Sequence, residues 1–460
     1  MRNVLIGVGV LAAAAGSVMA QCTPHWDGSH GNAALDGYVG AMIPWNGGLA
    51  VSGSFTTAGV PGTAVLAHYD PATHTWSSIG GGMGLGLSNG FGTSFAVFNG
   101  DLIIGGFFHD AGGVTDTKSI ARWDGTQYHS IVTGWNPDGV TSVWSMVSGN
   151  IGFGERLFFG GSFDTLNGAP AAHVGMYDGT TVTPIVSSMP TLTSSAGSIN
   201  PLVTAMVIHD DGMGGGPQLY IGGRFNSIDG QTILNVARWN GTTWSAVGTN
   251  LGNTIITAEV DTLISWNGAL YMGGTNMRVN GALQQTAKWD GTTWTAVGQN
   301  TTGRVWSLTP FNDGSGEKLY AGGTFVNSAG TPPTPLNRMA RLDGNQWVAH
   351  AGGVPTTGQS VFKLFTHEGN MFVGGSFTSV GTVAAAKLAA WTSCPPCGSQ
   401  DYNGDGDFGT DQDIEAFFSC LGGTCCPSCW YLGSDFNGDG DAGTDQDIEA
   451  FFRVLGGGTC

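Results

Sequence analysis

Basic side chains are scarce in this chain: 15 Lys plus Arg stand against 33 Asp plus Glu, for a formal charge of −18. Nucleic-acid binding depends on Lys and Arg neutralising phosphates, so that class of partner is not expected. Charged residues of either sign amount to only 10%, while apolar residues reach 41%, a balance that argues against a disordered chain. Cysteine is missing from the whole stretch between Cys22 and Cys394, which removes disulfides and thiolate ligands from most of the protein. Beyond the first residues no run approaches the roughly 20 consecutive apolar residues of a membrane helix, so no transmembrane span is expected.

The N-terminus has a recognisable order. Met1-Arg2-Asn3 precedes an apolar stretch from Val4 to Ala15, and Val18-Met19-Ala20 follows it. This is the charged, apolar and small-residue pattern of a secretory signal, read here as residues 1–20, and it implies an extracellular or cell-surface location.

Glycine is abundant, at 79 residues, and the remaining length is too great for one ordinary core of roughly 100 to 200 residues unless the fold is a repeat. A repeat is present. Ser52-Gly53-Ser54-Phe55, Gly105-Gly106-Phe107-Phe108, Gly160-Gly161-Ser162-Phe163, Gly222-Gly223-Arg224-Phe225, Gly273-Gly274-Thr275-Asn276, Gly322-Gly323-Thr324-Phe325 and Gly374-Gly375-Ser376-Phe377 recur every 49 to 62 residues. Upstream of most stands a hairpin signal such as Trp45-Asn46-Gly47 or Trp266-Asn267-Gly268, and downstream another such as Arg238-Trp239-Asn240-Gly241. Each unit therefore reads as about four short strands. Seven such units predict a mainly β chain with a seven-bladed β-propeller over residues 21–393. The paired glycines let strands crowd near the axis, and the Trp residues pack between blades. His25-Trp26-Asp27-Gly28 repeats the late-blade phrase early, and the last blade stops at Trp391. The N-terminal strand is thus expected to complete the last blade, bringing Cys22 near Cys394 or Cys397.

This repeat style resembles kelch-like bacterial propellers, a likeness that speaks to fold much more than to activity. Galactose-oxidase-like copper chemistry needs a cysteine joined to a tyrosine, which the cysteine-free stretch excludes, and the Asp-Gly phrase does not match the Asp box of sialidase-type propellers. In a repeat protein a catalytic group should be singular. Arg122, Arg238, Lys288 and Arg341 recur at one position, so they read as structural cations. His209-Asp210-Asp211 and His367-Glu368 occupy hairpin positions and read as solvated turns. No catalytic residue emerges, and the propeller is expected to bind a protein or glycan ligand through its loops. An extracellular carbohydrate-active enzyme is the competing class.

The C-terminal part differs in kind. From Cys397 onward twelve Asp plus Glu face a single Arg453, a local charge of −11. Asp401-Tyr402-Asn403-Gly404-Asp405-Gly406-Asp407 is repeated 34 residues on as Asp435-Phe436-Asn437-Gly438-Asp439-Gly440-Asp441. Oxygen ligands at positions 1, 3 and 5 with glycine at 6 open an EF-hand-type calcium loop. Two Ca2+ sites are expected: Asp401, Asn403 and Asp405, with the Asp407 carbonyl, and Asp435, Asn437 and Asp439, with the Asp441 carbonyl. Gln412 and Gln446 stand where a closing acid belongs. Asp413 and Asp447 are the first choice for that role, and Asp411 and Asp445 the second. Each loop runs into Ile-Glu-Ala-Phe-Phe, an amphipathic helix for which Thr410 or Thr444 is a cap.

Loop plus helix, twice, ending Gly457-Gly458-Thr459-Cys460, resembles the Gly-Cys-ending dockerin variant, here residues 401–460 after a Cys/Pro linker at 394–400. The resemblance implies docking onto a cohesin-like or other surface receptor, with the protein itself a monomer. Cys394-Pro-Pro-Cys397 and Cys426-Pro-Ser-Cys429 admit zinc, but export and an even cysteine count favour disulfides in so small a domain. Their pairing stays open.

Overall fold

The structure is a computed structural model that describes residues 24–31, 35–84, 91–135, 141–194, 197–252, 257–313, 316–355, 358–392, 402–403, 409–422, 436 and 443–456. The expected signal segment, Cys22 and the 394–400 linker lie outside these residues. One compact unit spans His25–Ser393, and the two helices belong to another.

The first unit is a seven-bladed β-propeller of seven four-stranded antiparallel sheets. The first strand of each blade (Val39–Trp45, Phe91–Phe98, Ser142–Asn150, Leu202–His209, Glu259–Trp266, Val305–Asn312 and Val361–His367) packs against the first strand of the next, and the seventh against the first. These strands therefore surround the axis. Hairpins behave as their sequence demands: Asn46 and Gly47 take φ of 50° and 76°, and Asn267 and Gly268 take 49° and 73°, the left-handed pair of a tight hairpin.

The ring closes through the N-terminus. His25–Asp27 pairs antiparallel with Leu388–Thr392, placing Trp26 opposite Trp391 as the outermost strand of blade 7. Trp26 also makes the bond that outer-strand tryptophans make elsewhere. Its Nε1 donates to the Ala351 carbonyl at 2.8 Å, as Trp244 donates to Ile185 at 2.9 Å and Trp294 to Val247 at 2.7 Å, each reaching back to the preceding blade.

The paired glycines answer two different crowding problems. A Cβ on the second one would overlap a carbonyl oxygen of its own inner strand: Ser142 for Gly161, Leu202 for Gly223 and Arg304 for Gly323. A Cβ on the first would meet the valine of the next blade, Val203 Cγ1 at 2.6 Å for Gly160 and Val260 Cγ1 at 2.7 Å for Gly222. Glycine is a hole and valine the knob. Blade 1 breaks the phrase with Ser52, and the residue it faces in blade 2 is Gly92, where other blades carry Val143, Val203 or Val260. The exchange conserves volume across the contact.

The second unit holds α1 (Asp411–Leu421) and α2 (Asp445–Leu455), capped by Thr410 and Thr444. Phe417 and Phe451 stack at 4.1 Å between them, with Tyr402 and Phe436 closing a small aromatic core. Among the described residues no helix is long and apolar enough to cross a membrane.

Volume conservation at the first interface makes a double-mutant test. Gly92→Val alone should cost about 1 to 3 kcal/mol by overpacking against Ser52. Adding Ser52→Gly should recover much of that loss, giving a coupling of at least about 1 kcal/mol in urea denaturation. Additive costs would refute the knob-and-hole assignment.

Candidate active site in the channel

Every inner strand slips register by one residue at the same place: between Val39 and Ala41, Gly92 and Ser94, Val143 and Ser145, Val203 and Ala205, Val260 and Thr262, Val305 and Ser307, and Val361 and Lys363. A bulge leaves one residue unpaired and re-aims its side chain. The unpaired residues are Gly40, Thr93, Trp144, Thr204, Asp261, Trp306 and Phe362. All seven line one cavity of about 580 Å³ on the axis, at the end where the chain enters each blade. Seven structurally equivalent positions thus carry seven independent choices of side chain.

Those choices are not uniform. Blades 4 to 6 contribute a charge network. Arg224 Nη1 donates to Glu259 Oε2 at 2.9 Å, and Arg304 Nη2 to Glu259 Oε1 at 2.5 Å. Arg304 Nε donates to Asp261 Oδ2 at 2.7 Å, and its Nη2 also bonds Asp261 Oδ1. The carboxylate side chains are both only 5% exposed, whereas Arg304 keeps 30%, so the acids are buried behind a guanidinium that reaches the cavity. Burial, joined by the charge of Glu259, pushes the Asp261 carboxyl up to about 7 against the pull of Arg304. Burial alone would lower Arg304, but its two acids hold it above the ordinary arginine value.

Aromatic rings complete the wall. Trp306 and Phe362 stack at 4.7 Å, Tyr38 lies 4.7 Å beyond Phe362, and the Arg304 guanidinium sits 5.9 Å over Trp306. Trp144 and Phe91 form a second pair at 5.5 Å. Lys363, next to the blade 7 bulge, also lines the space.

None of these residues stands out along the chain, because each belongs to an ordinary apolar or mixed strand. Counting back from the glycine pair does not find them, because the distance to the bulge varies from 12 to 18 residues with the length of the intervening hairpin. Three of the four recurring cations behave structurally: Arg122 pairs with Asp101 at 2.6 Å, Arg238 with Asp211 at 2.7 Å and Arg341 with Asp313 at 2.7 Å, whereas Lys288 is exposed and has no ion pair among the described residues. The turn at His209-Asp210-Asp211, expected to be solvated, is corrected in part. His209 and Asp211 are buried, because Asp211 accepts from both Arg238 and the Tyr220 hydroxyl.

In the tail, Asp401, Asp405, Asp407, Asp435, Asn437, Asp439 and Asp441 lie outside the described residues. Asp413 is fully buried at the third position of α1, where Oδ2 accepts from the Thr410 amide and hydroxyl, both at 2.8 Å. Its Oδ1 turns back to the loop start and accepts from the Tyr402 amide at 2.8 Å and the Asn403 amide at 3.2 Å. Although burial works the other way, these bonds hold the Asp413 carboxyl below its ordinary value. Asp447 repeats the cap on Thr444. Asp411 and Asp445 stay exposed in the first turns.

No protein-family model matches this chain, and no curated protein does. Among solved structures it is similar to YCF48 bound to a D1 peptide, at 11% identity and TM-score 0.42, over 79% of this chain and 94% of that one. It is also similar to the computationally designed Ika8 protein, at 10% identity and TM-score 0.44, over 79% and 98%. The likeness is one of fold.

Proposed function

We propose that this is an exported binding protein whose propeller holds a glycan in its channel mouth and whose dockerin-like tail attaches it to a surface receptor in a calcium-dependent way. The observation that carries the channel reading is that the equivalent bulges hold three aromatic rings (Trp144, Trp306 and Phe362) and one acid (Asp261) in place of one recurring residue, with Arg224, Glu259 and Arg304 beside them in the same wall. Packing would be served by the same small residue in each. A sugar ring offers an apolar C–H face, suited to Trp306 and Phe362, and a rim of hydroxyls suited to fixed donors and acceptors such as Arg304 and Asp261.

The tail reading is supported by its paired architecture. Asp413 returns a carboxylate to the start of its own loop, which suits a closed cage of oxygen ligands built from Asp401, Asn403, Asp405 and the Asp407 carbonyl. Asp435, Asn437, Asp439 and the Asp441 carbonyl are the second set, with Asp447. Calcium bound there would tie the loop oxygens together and hold each helix at its cap. Phe418 and Phe452, 44% and 47% exposed and 6.2 Å apart, form an apolar pair on the two helix surfaces, where a cohesin-like receptor would dock. Disulfides among the clustered cysteines would add stability to a core this small.

A second reading has its own support. Glu259 and Asp261 stand together as a carboxylate pair in the channel wall, and burial pushes the Asp261 carboxyl up towards the range of a general acid. In that reading the protein is an extracellular carbohydrate-active enzyme.

Titrating the full chain with a panel of sugars while following tryptophan emission separates the two. Saturable binding without turnover, weakened about tenfold by Trp306→Ala, is expected. Turnover abolished by Asp261→Asn would establish the enzyme instead, and an unresponsive panel would remove the channel reading. Calorimetric titration with Ca2+ should show two sites per chain, one lost with Asp405→Ala and the other with Asp439→Ala. No heat in the native protein would overturn the calcium assignment.

A further inference from the structure

We infer that the ligand of the channel is an acidic sugar, bearing a carboxylate or a sulfate, and that Lys363 is its counter-ion. The inference rests on the sugar-binding reading above and adds the charge of the ligand to it.

The residue after each bulge is small in six blades: Ala41, Ser94, Ser145, Ala205, Thr262 and Ser307. In blade 7 it is Lys363. The six small residues show what packing around the axis asks for, and a lysine is the opposite of it. Its surroundings also differ from those of the other cations in the cavity. Arg224 and Arg304 are matched by Glu259 and Asp261. Lys363 has no hydrogen-bond or ion-pair partner among the described residues, and burial depresses its pKa with no carboxylate acting to restore it. The cavity wall therefore holds three cations, Arg224, Arg304 and Lys363, against two acids, Glu259 and Asp261. That is an excess of one positive charge in a chain whose net charge is −18.

An unmatched ammonium in a narrow cavity is unfavourable unless something completes it. With 33 acidic residues in the chain, an internal partner would be readily available were the role structural. The unmet charge lies in the same cavity as the Trp306, Phe362 and Tyr38 rings. A ligand with a flat apolar face and one anionic group satisfies both features at once: the rings take the face, and the ammonium takes the anion through a charge-assisted hydrogen bond.

Full-length protein titrated with glucuronate, glucose 6-sulfate, glucose and inorganic sulfate tests this, with tryptophan emission as readout. At least one acidic sugar should bind roughly ten- to a hundredfold more tightly than glucose; which one it is separates the carboxylate from the sulfate. Lys363→Met should abolish that preference, so that the acidic sugar and glucose bind the variant about equally, and Lys363→Arg should restore it. Glucose bound as tightly as both acidic sugars, or a preference that survives Lys363→Met, would overturn the counter-ion assignment while leaving the channel as a sugar site. If none of the sugars bound, the sugar-binding reading itself would fall. Inorganic sulfate bound as tightly as glucose 6-sulfate would show that the ring contributes nothing, which contradicts an acidic sugar as ligand.

Discussion

The closeness of the strands around the propeller axis is the constraint from which the rest follows. Seven inner strands can share one axis only if their neighbours surrender side-chain volume, and the glycine pairs do so in two directions. One glycine clears a carbonyl within the blade, and the other admits a valine from the next blade. The inner strand then bulges between that valine and the following residue, which turns one side chain per blade out of the ladder and into the channel. Structural crowding and the functional wall are thus consequences of the same geometry. The residue before the bulge packs between blades, whereas the bulge residue lines the channel, and at Thr93 and Thr204 its hydroxyl also ties to the Val143 and Val260 carbonyls of the next blade.

This division explains what could be read from the chain alone. The blade count, the hairpins and the completion of the last blade by the N-terminal strand were legible, because turn chemistry and the glycine pair impose strong local requirements wherever they occur. The Ser52–Gly92 exchange was not, since Ser52 alone looks like a lapse in the repeat until its partner across the interface is known. The cavity residues were illegible for a related reason. Glu259, Asp261, Arg304 and Lys363 lie in three different blades, and only Asp261 stands at a bulge, so no single repeat position marks them. Singularity within the repeat becomes visible only in the register of the bulge, not along the raw chain. In the tail, Asp413 is buried because its carboxylate returns from the helix cap to the loop start, where it accepts from the Tyr402 amide, a contact that spacing alone did not show.

Chemically, the channel and tail represent two uses of acidic residues. In the channel, two buried carboxylates are held against arginines, and the remaining charge there is positive. In the tail, the sequence is dense in carboxylates, and the buried Asp413 is oriented by the Tyr402, Asn403 and Thr410 amides. The first arrangement suits recognition of an acidic, ring-bearing molecule, and the second suits capture of a hard cation. The proposed function, ligand binding by the propeller and attachment by the tail, would use both.

The central claim is that each bulge turns its unpaired residue towards the channel while the residue before it packs between blades. Thiol accessibility tests this directly, because the propeller has no cysteine between Cys22 and Cys394. Thr204→Cys and Val203→Cys variants of the full chain, treated with a small thiol reagent and mapped by peptide mass spectrometry, should differ sharply: position 204 modified under native conditions, position 203 only in denaturant. Equal modification at the two positions, or protection of 204 with reaction at 203, would contradict the account.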